Sequence, residues 1–147
     1  PMSPSRENVV RMMPDIANDA RPAAAGQLAW VGMGEIEAPV RIALADGDVQ
    51  TAAAKVHAFV NLHRPDVRGI HMSRLYLHLD RHLAAEPLSP AGLRRLLRDF
   101  LDSHAELSDR AMVEIRFDAL LRRKALVSDN SGWKAYPVKL VATLDRA

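Results

Sequence analysis

The chain contains no cysteine. A disulfide framework and a thiolate nucleophile are therefore both excluded, and so is any metal site built on thiolate within these residues. Aromatic residues make up only 5% of the 147 positions. A broad base-stacking platform for single-stranded nucleic acid is hard to build from so few rings. Charge of one sign is also lacking: 20 Lys and Arg face 18 Asp and Glu, a net charge of +2. That balance gives no electrostatic footprint for nucleic acid. No apolar run approaches the length that crosses a bilayer, and the first residues lack the apolar core of a secretory signal. The expectation is a cytoplasmic protein with neither membrane nor nucleic acid as partner. Glycine is scarce as well, with seven residues, and none of them forms a phosphate-cradling loop of the dinucleotide or P-loop kind.

The hydrophobic content of 48% and the charged content of 26% are those of an ordinary globular domain. Residues 1–26 carry four prolines and an alanine cluster without a period, and they read as a mobile arm. Pro1 cannot be an initiator residue, and residues 1–12 read as an extension. Residues 27–147 read as one domain.

Within that domain the periods alternate between two and 3.6. Ile36, Ala38, Val40, Ile42 and Leu44 share one face of a first strand. Asp46-Gly47 signals a hairpin. A second strand runs from about Val49 to Leu62, with Val56, Ala58, Val60 and Leu62 inward. Asn61 to Gly69 reads as a polar loop.

A helix follows from about Ser73 to Ala85, with an apolar stripe of Leu75, Tyr76, Leu79 and Leu83. Ser89-Pro90 opens a second helix as cap and first-turn proline. Its inner face is Leu93, Leu96, Leu97, Phe100 and Leu101, and Arg94, Arg95 and Arg98 lie outside. Met112 to Leu121 and Lys134 to Leu144 read as third and fourth strands. Pro137 places the fourth at an edge or a bulge. The order is ββααββ, an α+β fold with a four-stranded antiparallel sheet and two helices on one face.

Three groups of residues could carry chemistry. Arg68-Gly69-Ile70-His71-Met72-Ser73-Arg74-Leu75-Tyr76 sets an imidazole, a hydroxyl and a guanidinium at a helix start, where unpaired N–H groups and the helix dipole favour an anion. The same residues also read as a plain cap, with Ser73 as N-cap. His71, His78 and His82 fall on one helical stripe, a spacing that can hold zinc or simply line a solvated boundary. Arg122, Arg123 and Lys124 form a basic run that could clamp phosphate or merely keep a strand end soluble. Trp30 and Trp133 read as core or interface anchors. Glu35 and Glu37 share a strand face with no partner base in view, so they read as solvent-exposed.

The segment RGIHMSRLY resembles the Gly-Thr/Ile-His-Met-Ser-Arg signature of the type IB GTP cyclohydrolase I family. Leu28-Ala29-Trp30-Val31-Gly32-Met33, Leu121-Arg122-Arg123-Lys124-Ala125-Leu126-Val127-Ser128 and Gly132-Trp133-Lys134-Ala135-Tyr136-Pro137-Val138 extend the resemblance in the family's order over roughly residues 28 to 145. It implies a tunnelling-fold module that joins others edge to edge into an oligomeric barrel, with a tetramer expected. It also implies an enzyme that opens the guanine ring of GTP to give formate and dihydroneopterin triphosphate, with a divalent metal (zinc, manganese or iron).

The resemblance covers only the family's first module. Its metal ligands, including a cysteine in a Cys-Pro-Cys segment, belong to the second, and no position here matches them. A separate chain carrying the second half is a conceivable partner. For this chain the resemblance implies no metal ligand and no catalytic residue. It points to a substrate-binding contribution from His71, Ser73, Arg74, Arg123 and Lys124. The alternatives are a non-catalytic assembly module and a purine- or pterin-binding module.

Overall fold

The computed structural model describes residues 30–62, 72–105, 107–124 and 131–146. Four strands and two helices follow one another as β1 (Trp30–Ala43), β2 (Val49–Asn61), α1 (Met72–Ala85), α2 (Pro90–Ser103), β3 (Arg110–Lys124) and β4 (Ser131–Asp145). The sheet order is β1-β2-β3-β4, antiparallel throughout. The α+β class and the ββααββ order expected from the periodicity are therefore present.

The core lies between one face of the sheet and the helix pair. Val40, Val56, Ala58, Val60, Val113 and Ile115 meet Leu75, Leu79, Leu96, Leu97, Phe100 and Leu101, all at most 1% exposed. A second, smaller apolar group sits on the opposite face, where Phe59, Met112 and Val141 are joined by the half-buried Trp30.

β1 starts six residues earlier than its alternation suggested. Glycines at 32 and 34 broke the period, yet the strand needs Gly32: a Cβ there would lie 1.9 Å from the Ala58 carbonyl oxygen and 2.7 Å from Phe59 Cα. Between Met33 and Ile36 the register shifts through a bulge, and Glu35 sits at φ 54°, a region that non-glycine residues seldom enter. Leu44, expected on the strand, instead belongs to the turn, where its N–H donates to the Asp48 carbonyl at 2.8 Å.

α1 begins at Met72, so Ser73 lies inside the first turn and is not its cap. Tyr76, expected in the apolar stripe, is 44% exposed. α2 opens as expected, the Ser89 hydroxyl accepting from Gly92 N at 2.9 Å with Pro90 in the first turn. β4 is an edge strand, the place where Pro137 is tolerated.

Two anchors fix the direction of the helices. Leu88 N donates to the Arg41 carbonyl at 2.8 Å, near the β1–β2 turn. Ser108 Oγ donates to the Asn61 carbonyl at the other end of β2. α2 thus runs from the turn end of the sheet to the Asn61 end, and α1 runs the opposite way.

β2 and β3 share seven rungs, from Ala54–Phe117 to Val60–Ala111. β3 and β4 continue for another seven beyond Phe117, to Lys124–Ser131. In that two-stranded ribbon, Gln50 takes the place of the missing strand neighbour. Its side-chain amide donates to Leu120 O at 2.8 Å and accepts from Leu120 N at 2.7 Å.

Candidate functional site

Ser73 and Arg74 lie exposed in the first turn of α1, toward the Asn61 end of the sheet. His71 lies outside the described residues. Arg123 is exposed on the ribbon at the opposite end, and Lys124 is the last residue of β3, paired with Ser131. The structure therefore does not bring the two expected groups together within one chain. The ribbon is basic and apolar at once. Arg122 lies over the Trp133 ring at 4.7 Å and Lys134 over Tyr136 at 5.4 Å, with Leu120, Leu121, Trp133 and Tyr136 all exposed. Trp133, expected as a core or interface anchor, is 58% exposed and no part of the core, while Trp30 packs on Phe59, Met112 and Val141 as an anchor should.

His78 and His82, the described members of the histidine stripe, turn to helix packing. His78 Nε2 pairs with Ser103 Oγ, and His82 Nε2 with Asp99 Oδ2 at 2.6 Å. Among the described residues no group of three His, Asp or Glu side chains could hold a metal ion. The residues described here therefore do not fit the divalent metal that the resemblance implies, and no chemical step is assigned to one on this chain.

The helix-free face carries a cluster that the strand pattern concealed. His57 and Glu114 are opposite neighbours on β2 and β3, 8% and 7% exposed. His57 Nε2 lies 3.5 Å from Glu35 Oε1 and 3.9 Å from Glu114 Oε2, and it makes no hydrogen bond. Arg116 approaches both carboxylates, at 3.5 and 3.7 Å, and Lys55 approaches Glu35 at 3.8 Å. Glu35 is exposed, as expected, but not solitary. The bulge brings its side chain within reach of β2 and β3. Alternation alone shows which face a residue takes, not which charges meet across strands.

Two hairpins flanking a helix pair, with polar groups at strand and helix ends, define an α+β domain. Its sequence shows the family. Residues 13–147 match the family described as type I GTP cyclohydrolase folE2, and the chain belongs to that family. Among curated proteins, the GTP cyclohydrolase FolE2 of Pseudoalteromonas translucida is 48% identical over 134 residues, covering 91% of this chain and 44% of the relative. That of Hydrogenovibrio crunogenus is 49% identical over 128 residues, covering 87% and 41%. The GTP cyclohydrolase FolE2 2 of Burkholderia orbicola is 50% identical over 135 residues, covering 90% and 42%. The chain thus spans less than half the length of these relatives.

Proposed function

We propose that this chain is the N-terminal tunnelling-fold module of a GTP cyclohydrolase of the FolE2 kind. The complete protein would hydrolyse GTP to formate and dihydroneopterin triphosphate for pterin and folate synthesis. The observation that carries this reading is the family match over residues 13–147, at 48 to 50% identity to proteins of that name. A divalent metal would be held by residues of the second module. This chain's part would be to steer the triphosphate. Ser73 and Arg74, with His71 before them, would offer donors at a helix start, and Arg123 and Lys124 would offer cations on the ribbon. Since these pairs stand at opposite ends of one chain, they would serve different sites or meet only between modules. Both sheet edges are unpaired among the described residues, and edges of that kind are paired or protected in stable proteins. That supports assembly of modules into a barrel.

The test is formate release from GTP by this chain together with the second module. Arg74→Ala and Arg123→Ala should each raise KM for GTP about tenfold with kcat less affected. Unchanged KM in both would sink the steering role. No formate release from the complete protein would sink the enzyme reading. The absence of a metal-binding group among the described residues favours one second reading, an assembly module without chemistry. Tight association with the second module, without any effect of the arginine variants, would select it.

A further inference from the structure

α1 and α2 meet along a polar seam of three rungs. His78 faces Ser103, His82 faces Asp99 and Glu86 faces Arg95. Successive rungs are four residues apart on each side, with Glu86 just past the end of α1, so the seam follows one ridge of each helix. Two rungs contain histidine, and they differ in chemistry.

In the first rung Ser103 Oγ donates to the Asp99 carbonyl at 2.8 Å. Its lone pair must therefore accept from His78, which fixes the proton on His78 Nε2. Nδ1 is then a bare acceptor, and it is buried without a hydrogen-bond partner. A proton added there would have no acceptor. In the second rung the Asp99 carboxylate, with Oδ2 2.6 Å from His82 Nε2, stands beside the ring as a counter-charge. The surroundings of His78 are mixed. Asp99 favours its charged form, while Arg81 and His82 on its own helix and His104 at the C-cap of α2 oppose it.

We propose that this seam is an acid-sensitive latch. Protonation of His78 releases the first turn of α1, with Ser73 and Arg74, while the His82–Asp99 and Glu86–Arg95 rungs keep the far end of the helix docked. Loss of water around the partly buried imidazole, the largest influence on it, holds its pKa below the ordinary 6.5. The folded state thus binds fewer protons than the unfolded one, and the latch weakens as pH falls through and below about 6.5. Placing Ser73 and Arg74 at a ligand rests on the GTP reading; the latch itself does not.

The experiment is backbone amide exchange on the whole 147-residue chain at pH 7.5 and 5.5, corrected for intrinsic rates. Protection at Leu75 to His78 should drop about tenfold on acidification, the size of one buried group left unpaired, while Leu83 to Ala85 stay unchanged. His78→Gln keeps an N–H for Ser103 and removes the titration, so the drop should vanish. If His78→Gln does not fold, the parent alone decides. The His78 ring resonances and the Leu75–His78 exchange rates must then follow one titration midpoint. Equal loss along the whole of α1, a drop that survives in His78→Gln, or different midpoints would each overturn the latch. Loss of GTP turnover in the complete protein would leave these exchange results standing. That separates failure of the latch from failure of the enzyme reading.

Discussion

Replacing Asn61 by alanine should destabilise the fold more than any other single polar change. Asn61 is 2% exposed at the end of β2. Its side-chain oxygen accepts from the backbone N–H of Asp109 at 2.9 Å and of Arg110 at 2.8 Å, and its amide donates to the Asp109 carboxylate at 2.6 Å. One side chain thus pins the entry to β3 onto β2, beside the bond from Ser108 to the Asn61 carbonyl. Alanine removes all three of these side-chain hydrogen bonds. At roughly 1 kcal/mol for each bond lost, the expected cost is about 3 kcal/mol. For a domain of this size that lowers Tm by about 6–12 °C. Urea unfolding followed by circular dichroism would show a lower midpoint with an unchanged slope. A loss under 1 kcal/mol would mean that water replaces the side chain at no cost, and the clamp would be incidental. A changed slope would mean that alanine alters the extent of folding rather than the strength of the clamp.

Further expectations concern the backbone. Gly32→Ala should cost about 3 kcal/mol or prevent folding, since its Cβ would strike the β2 backbone. Gly132→Ala, with nothing within 4 Å of the new Cβ, should leave Tm within a degree or two. Comparable losses would refute the close approach. Glu35→Ile puts a β-branched residue at φ 54° and should cost about 2 kcal/mol, whereas Glu35→Gly should be near neutral, the relief of strain offsetting exposed ion pairs. Equal denaturation midpoints would show that the bulge rearranges. Gln50→Ala should speed amide exchange at Leu120 more than tenfold and leave Ile115 unchanged; a uniform change would mean that Gln50 supports the whole sheet rather than the ribbon root.

The sequence made element types plain where one face is buried. Val56, Ala58 and Val60, or Leu96, Leu97 and Phe100, repeat at the period of their element because the core selects them. Ends and exceptions were less legible. Gly32 and Gly34 hid six residues of β1, because a glycine required by close approach looks the same in sequence as one that breaks a strand. Tyr76 is apolar enough to read as core, yet it projects outward, and of the two anchors expected in core or interface Trp133 is outside the core. Asn61 read as loop polarity, although its value lies in backbone groups 48 and 49 positions away. The pairing of His78 and His82 with α2 was invisible for the same reason: helical spacing reports one helix, and the seam needs two. His57 and Glu114 joined no motif, since these two residues lie more than fifty positions apart along the chain.

Seven backbone rungs between β2 and β3, with the Gln50 side chain beside them, tie the hairpin of β1 and β2 to that of β3 and β4. Each hairpin closes over a short local loop, at little entropic cost, while the tie closes across the whole helix pair. Force applied at Trp30 and Asp145 would act on the two outer strands at the same end of the sheet. It would then part the rungs one after another, like a zip, rather than shear many at once. The module would yield at low tension when gripped at these two residues and resist far better when gripped at Trp30 and Ala43, where the load runs along a single strand.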